Sequence, residues 1–210
     1  MRQAFEQAQA RFGQLNGIIH AAGIVRARGL AELDRQSCEE QFRSKAAGLY
    51  VLNRATAGLP VDFFLVTSSL SSILGGLGYG AYAAANQFLD SFVEQQRAVD
   101  GSRRWIGVNL DGWTFEASTV SSAIGSLEMQ PAEGVECLDR ILSEPSLTRV
   151  AVSTADLAAR IDRYVRRAPV ADQSPDRTIT KYARPEIATS FAAPVSAIER
   201  TIAEVWQELL

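Results

Sequence analysis

The run DFFLVT at residues 62–67 decides the fold, because nearly every position is apolar and polar residues do not alternate with them. Three further runs have the same character: GIIHA at 17–21, WIGVNL at 105–110 and RVAVS at 149–153. Continuous apolar runs are typical of strands buried on both faces, which occur in parallel sheets that helices cover on both sides. The sequence therefore predicts four strands of a buried parallel sheet.

Segments with helical spacing separate these runs. Residues 37–57, 80–99 and 131–143 carry apolar side chains three or four positions apart, and Pro131 suits a first helical turn. Strands that alternate with helices indicate an α/β layered fold. A helix at residues 2–12 leads directly into the first strand, with neither a strand nor a phosphate loop before it, so we expect an incomplete sheet.

Composition excludes several classes of protein. The 210 residues are 47% hydrophobic and 21% charged, which is ordinary for a folded domain with an appendage. The net charge of −3 favours neither nucleic acid nor an anionic membrane, and no apolar run reaches the roughly 18 residues that span a bilayer. Because Cys38 and Cys137 lie far apart and His20 is the single histidine, we expect a cytoplasmic protein without a metal site.

The character of the chain changes after residue 167. Residues 168–193 carry three prolines and scattered charges, which predicts a linker between a main domain at 1–167 and a final helix at 194–210. Ser196 and Glu199 form a capping-box pattern at the start of that helix. Its apolar stripe has no obvious partner, so the helix either opens a second domain or folds back on the main one.

A glycine-rich segment at residues 76–81, GLGYGA, fits the dinucleotide-binding fingerprint G-x-G-x-x-G/A. That fingerprint works at a strand-to-helix turn, where the helix N-terminus meets the pyrophosphate. Here residues 68–75 separate the pattern from the preceding strand. We interpret the segment as a flexible loop and not as a phosphate site.

Chemically useful side chains surround this loop. Ser69 follows the strand at 62–67, and Lys45 stands on the helix before that strand. Tyr82 and Asn86 lie one helical turn apart on the helix after it. Ligands bind at the carboxyl ends of parallel strands, so these groups can converge there, and the charge of Lys45 can favour proton release from the tyrosine. Each residue alone also suits a structural role, as a helix aromatic, a turn cap or a solvated charge.

Several motifs share their order and spacing with a known family. They are GIIHAAG at 17–23, Lys45 with Gly48, the serine pair at 68–69, YAAAN at 82–86, VNLDGW at 108–113, PAEG at 131–134, VSTADL at 152–157, RP at 184–185 and IERTIAEVW at 198–206. The set resembles the ketoreductase domains of modular polyketide synthases and hybrid polyketide–peptide synthetases, members of the short-chain dehydrogenase/reductase superfamily. Lys45 upstream and asparagine at position 86 match the polyketide branch, and the resemblance covers nearly the whole chain.

The resemblance implies a fold and a reaction. The fold would be a partial Rossmann-like, doubly wound parallel sheet, the second half of a short-chain reductase, followed by a linker and the first helix of an acyl carrier domain. The reaction would be NADPH-dependent reduction of a carrier-bound β-ketoacyl thioester to the β-hydroxy product. Tyr82 would donate the proton and Ser69 would hold the ketone oxygen. Lys45 would favour proton release, and Asn86 would orient Lys45 or a water.

The resemblance also implies contacts and partners. The cofactor contacts would be Ala21, Ala22, Gly23, Lys45, Tyr82, Leu110 and Gly112. The partners would be an acyl carrier protein with a phosphopantetheine-tethered substrate, the missing N-terminal half of the ketoreductase and neighbouring synthase domains. Because the glycine-rich phosphate loop of the family would lie upstream of residue 1, a non-catalytic scaffold or docking remnant is the alternative. A free-standing reductase acting on small alcohols is disfavoured by the carrier-like tail.

Overall fold

The computed structural model describes residues 1–114, 128–166 and 193–209, without the side chains after residue 203. The chain divides into two compact units, Met1–Pro169 and Val170–Leu210. Nearly all of the linker predicted at residues 168–193 therefore lies outside the described residues.

The first unit is built on a four-stranded parallel sheet in the order β1-β2-β3-β4. The strands are β1 Gly17–His20, β2 Phe63–Ser69, β3 Arg104–Leu110 and β4 Arg149–Ala151. The predicted α/β class with a parallel sheet is confirmed. Because all four strands run the same way, their carboxyl ends meet at one edge of the sheet.

Helices connect the strands. They are α1 Arg2–Phe12, α2 Arg35–Phe42, α3 Gly48–Ala55, α4 Ser71–Leu74, α5 Gly80–Val99, α6 Pro131–Ser143 and α7 Leu157–Ile161. A π-helical turn, Arg43–Ala47, joins α2 to α3, so the single helix predicted at 37–57 is one helical segment with a wider turn inside it. Helix α4 was not predicted from sequence, because four residues are too few to show a period of 3.6.

Two hydrophobic cores cover the faces of the sheet. Phe64 of β2 stacks on Trp105 of β3 with ring centroids 4.3 Å apart, and this pair belongs to the core that α3 and α5 complete. Leu65 points to the opposite face, where α6 packs. Burial on both faces holds for β2 and β3 but not for the outer strands, since Ile19 of β1 is 53% exposed and both ends of β4 are exposed. An outer strand has a neighbour on one side alone within the described sheet, which explains the difference.

An ion pair fixes the segment that follows β3. The guanidinium of Arg160, on α7, donates to both carboxylate oxygens of Asp111, and the Thr154 backbone N–H donates to the same carboxylate at 3.2 Å. Burial would raise the pKa of Asp111, but these hydrogen bonds outweigh burial and leave the pKa below its ordinary value. The chain is thereby held where it leaves the sheet.

The second unit is described at residues 193–209, where the final helix, α8, spans Ala197–Leu209. The predicted capping box is present, because the Ser196 backbone N–H donates to the Glu199 carboxylate at 2.9 Å and the Glu199 N–H donates to the Ser196 hydroxyl at 3.2 Å. No helix in the described part of the chain is long and apolar enough to cross a membrane.

The core position of Leu65 generates the first prediction. Leu65→Ala removes a side chain that is fully buried, so we expect the free energy of unfolding to fall by about 2–5 kcal/mol. Denaturant unfolding measures the loss. Val99→Ala is the control, because Val99 is 77% exposed and its truncation should change stability by about 0.5 kcal/mol or less. Equal losses in the two variants would contradict the described core.

The Asp111–Arg160 pair generates a prediction about pH. Because the pKa of Asp111 is lower in the folded chain than in the unfolded chain, its ionised form stabilises the fold above the unfolded value, and that contribution disappears as pH falls through the folded value. The stability difference between wild type and Asp111→Asn should therefore be largest near neutral pH and shrink in acid. Thermal melts across pH measure it, with Arg160→Gln expected to flatten the same dependence. A difference that is constant with pH would overturn this.

Candidate active site

A cavity of about 570 Å³ lies at the carboxyl edge of the sheet. The residues predicted from sequence that line it are Ala21, Gly23, Lys45, Ser69, Tyr82, Leu110 and Gly112. They come from the ends of β1, β2 and β3, the π-helical turn and the first turn of α5. The structure thus brings together side chains that lie as far apart in sequence as residues 21 and 112. Two predicted residues, Ala22 and Asn86, do not line the cavity.

Lys45 enters the cavity from the π-helical turn, a feature that is frequent at functional sites. The residue is 5% exposed, and its Nζ lies 5.4 Å from the centre of the Tyr82 ring. Burial lowers the pKa of Lys45, and the Asp90 carboxylate opposes that shift. Gly23 leaves the necessary room, because a Cβ there would lie 3.1 Å from the lysine Nζ. The site therefore holds a largely desolvated ammonium group beside a tyrosine.

Ser69 is the last residue of β2, and its hydroxyl is oriented by the chain that follows. The backbone N–H of Ser71 donates to the Ser69 Oγ at 3.1 Å. An oxygen that accepts this bond keeps its own hydrogen for another acceptor. The hydroxyl can therefore donate to an oxygen bound in the cavity.

Tyr82 lies in the first turn of α5, after the glycine-rich loop. The ring of Tyr79 packs against it at a centroid distance of 6.1 Å, and Tyr79 also lines the cavity. The loop holds its shape through Gly78, whose φ of +77° favours glycine and whose carbonyl accepts from the Arg28 N–H at 2.8 Å. Its glycines follow α4 and not a strand, so the geometry agrees with the interpretation that they are not a phosphate-binding turn.

Asn86 lies beneath the cavity. It is fully buried, and its side-chain amide donates to the Tyr82 carbonyl at 2.9 Å. The Asn86 carbonyl accepts from the Ser68 hydroxyl at 3.3 Å, which ties α5 to β2. This geometry connects Asn86 with the backbone of Tyr82. No hydrogen bond from Asn86 to Lys45 is present among the described residues.

His20, at the end of β1, is buried and does not line the cavity. It is 8% exposed, and burial lowers its pKa although a hydrogen bond to the Lys45 backbone acts in the other direction. Its carbonyl accepts from the Thr67 hydroxyl at 3.2 Å. The backbone of His20 therefore joins the ends of β1 and β2.

Seven residues of the cavity wall and two buried polar residues below it were not among the predicted site residues. The wall residues are Val25, Thr67, Ser68, Ser71, Tyr79, Asp111 and Trp113. The buried residues are Asp90 and Asn109, which are 2% and 0% exposed. A signal existed for Asn109, because it interrupts the apolar run at 105–110, and for Asp90, because it follows Tyr82 and Asn86 at helical spacing.

The cavity lies at the carboxyl edge of a parallel sheet, where open α/β folds bind ligands such as dinucleotides. Two small residues that follow β1, Ala21 and Gly23, belong to its wall. A dinucleotide also needs backbone N–H groups for its pyrophosphate. Among the described residues, the glycine-rich segment follows a helix and cannot provide them in the usual way.

Comparison with known proteins identifies the family to which this chain belongs. The family model for the KR domain matches residues 1–114. The chain is 40% identical over 152 residues to polyketide synthase PksN of Bacillus subtilis, covering 67% of this chain and 3% of the relative. It is 33% identical over 205 residues to polyketide synthase ThaG of Burkholderia thailandensis, covering 90% of this chain and 4% of the relative.

Solved structures agree with these relatives. A ketoreductase domain from the bacillaene assembly line superposes with a TM-score of 0.66 and 28% identity, covering 78% of this chain and 42% of that one. An N-terminal ketoreductase from the macrolactin assembly line gives 0.65 and 28%, covering 77% and 32%. The chain thus spans less than half of the solved ketoreductases and a few per cent of the synthases. It belongs to the KR-domain family, the ketoreductase domains of polyketide synthases within the short-chain dehydrogenase/reductase superfamily.

Proposed function

We propose that this chain is the catalytic, C-terminal part of a ketoreductase domain that reduces a carrier-bound β-ketoacyl thioester to its β-hydroxyacyl product with NADPH. The observation that carries the proposal is the convergence of Lys45, Ser69 and Tyr82 on one cavity. Membership of the KR-domain family supports ketoacyl reduction and a nicotinamide cofactor. NADPH as that cofactor, and the thioester as substrate, are the proposed refinements.

The reaction follows from the groups at the cavity. The Ser69 hydroxyl donates a hydrogen bond to the ketone oxygen, and that bond strengthens as negative charge develops there. Tyr82 donates its proton to the same oxygen. The Lys45 ammonium, buried beside the ring, stabilises the tyrosinate that remains. When bound, a reduced nicotinamide would supply the hydride for the carbonyl carbon.

The remaining predicted residues support this arrangement. Gly23, Leu110 and Gly112, together with Ala21, line the cavity and would hold the nicotinamide. Asn86 holds the backbone of Tyr82 through its amide hydrogen bond. The Asp111–Arg160 pair holds the segment that begins at Leu110 against the cavity. The catalytic tyrosine and the cofactor wall are thus fixed by separate contacts.

The proposed partners are the parts of the related synthases that this chain does not cover. The N-terminal half of the ketoreductase would supply the phosphate-binding turn and further strands, because β1 pairs with β2 alone in the described sheet. An acyl carrier domain would deliver the substrate on its phosphopantetheine arm, and α8 would be the first helix of such a domain. The domain assignment stays a proposal: ketoreductase part at 1–167, linker at 168–193 and carrier helix at 194–210.

Tyr82→Phe in the complete ketoreductase domain tests the function. The change removes the proton donor and keeps the ring, so reduction of a β-keto thioester should slow by about 10²–10⁴-fold with little loss of thermal stability. NADPH consumption measures the rate. Tyr50→Phe is the matched control, because Tyr50 lies on α3 outside the cavity and packs edge-on against Phe92.

Two outcomes would count against the assignment. Near wild-type turnover in a folded Tyr82→Phe protein would remove the tyrosine from the mechanism. Ser69→Ala should lower turnover more than Ser72→Ala does, because the Ser69 hydroxyl alone of the two lines the cavity. Equal losses would mean that Ser69 is not the residue that holds the oxygen.

Binding of NADPH by the isolated 210 residues separates the enzyme from the scaffold alternative. The described residues include no glycine-rich turn between a strand and a helix, so we expect the chain alone to bind weakly or not at all. Titration calorimetry measures the affinity, and the complete domain is the positive control. A micromolar dissociation constant for the isolated chain would contradict the prediction. Absence of binding in the complete domain would instead favour the non-catalytic scaffold.

A further inference from the structure

A buried polar cluster lies beneath the cavity, on the side of β2 and β3 that faces α5. We call it the Asp90 cluster, and it comprises Ser72, Asp90, Asn109 and Arg149. The side chain of Asp90 is 1% exposed and Asn109 is fully buried, whereas the side chain of Arg149 is 39% exposed. Polar groups at such depth need hydrogen-bond partners, because an unsatisfied one is costly.

The carboxylate of Asp90 is the centre of the cluster. Its Oδ2 accepts from the Asn109 amide at 2.8 Å and from an Arg149 guanidinium nitrogen at 3.3 Å. It also lies 2.8 Å from the Ser72 hydroxyl oxygen. One oxygen therefore joins β3, β4 and α4 to α5.

The Ser72 hydroxyl connects this centre with the active site. Its Oγ lies 2.9 Å from the Ser69 carbonyl oxygen, and a hydroxyl has one hydrogen to share between that carbonyl and Asp90. The Ser72 hydroxyl is held between these two acceptors, so it couples the position of the Asp90 carboxylate to that of the Ser69 carbonyl. The Asn109 amide nitrogen adds a second connection, because it donates to Asp90 Oδ2 and also lies 2.9 Å from the Ser72 Oγ, 3.1 Å from the Ser68 Oγ and 3.4 Å from the Ser69 carbonyl oxygen.

We propose that Asp90 is a positioning residue for carbonyl reduction, because its buried carboxylate fixes the backbone of Ser69 through Ser72 and Asn109. The inference rests on the proposed function of Ser69. The Asp90 cluster lies close to Ser69 in the chain and in the sheet. Ser68, the residue before Ser69, pairs with Asn109 in the sheet register, and Ser72 lies three residues after Ser69. A displacement of the Asp90 carboxylate is therefore transmitted to the Ser69 hydroxyl over a few bonds.

The same charge acts on the cation of the cavity. The Asp90 carboxylate opposes the effect of burial on the pKa of Lys45. His20, on β1, is the further titratable group that faces the lysine. Asp90 thus acts on the active site by hydrogen bonds toward Ser69 and by its field toward Lys45.

Asp90→Asn in the complete ketoreductase domain tests the inference. Its carboxamide keeps the volume of the side chain and removes the charge that organises the donors, so we expect kcat for the β-keto thioester to fall about 10- to 100-fold. The dissociation constant for NADPH should stay within about twofold of wild type, because no residue of the Asp90 cluster lines the cavity.

Glu94→Gln is the matched control. Glu94 lies one helical turn after Asp90 on α5 and pairs with the same Arg149 at 2.8 Å, but its side chain is 54% exposed. Removing that charge should leave kcat unchanged. Equal losses of kcat in Asp90→Asn and Glu94→Gln would overturn the inference, since pairing with Arg149 alone would then explain both.

Two substitutions of Ser72 keep the test decisive if Asp90→Asn does not fold. Ser72→Ala should lower kcat about tenfold, and Ser72→Thr, which keeps the hydroxyl, should restore it. In a Ser69→Ala background, Ser72→Ala should have no further effect on kcat, because its action passes through Ser69. Wild-type kcat in folded Ser72→Ala, or full additivity with Ser69→Ala, would overturn the inference.

Tyr82→Phe in the same assay separates the two proposals. If Tyr82→Phe keeps its activity, the proposed function fails. If Tyr82→Phe is inactive while Asp90→Asn and Ser72→Ala turn over like wild type, the positioning role alone fails.

Discussion

The parallel pairing of β2 with β3 is the constraint on which the rest of the structure depends. In its register Phe64 lies beside Trp105 within one core, and Ser68 lies beside Asn109 at the carboxyl edge. Burial on both faces fixes this register, because a shift by one residue would exchange the two faces of β2. The apolar middle of the pair therefore decides which polar residues meet at its end. The geometry of the candidate active site is a consequence of the core.

Lys45 depends on the same edge. A lysine that is 5% exposed loses hydration, so its ammonium form is retained only where negative or polar groups compensate. The π-helical turn directs the side chain over β1, where Gly23 leaves space, and the Asp90 carboxylate on α5 supplies the opposing charge. Three elements that share no sequence neighbourhood thus hold one cation beside the Tyr82 ring.

Sequence predicted the elements whose signal is local or periodic. The strand at 62–67 and the helix at 80–99 follow from apolar runs and helical spacing, and the convergence of Lys45, Ser69 and Tyr82 follows from the shared edge of a parallel sheet. The exposure of β4 was not predictable, because the same apolar run suits a central strand and an outer one. Whether a given strand has a neighbour on each side is a property of topology, which a run of residues does not encode.

The polar residues below the cavity show the same limit more sharply. Asp90 and Asn109 stand at positions that helical and strand periodicity assign to the interior, where a carboxylate and an amide look unfavourable on their own. Burial is offset in part because the Asn109 amide and Arg149 from β4 donate to Asp90 Oδ2, although Oδ1 of each residue accepts no hydrogen bond among the described residues. The cost of an unpaired buried charge is large, so a chain that keeps these residues must also keep the strand order that unites them. The cluster therefore ties the sheet topology to the geometry of Ser69, and the same hydrogen bonds serve folding and the site.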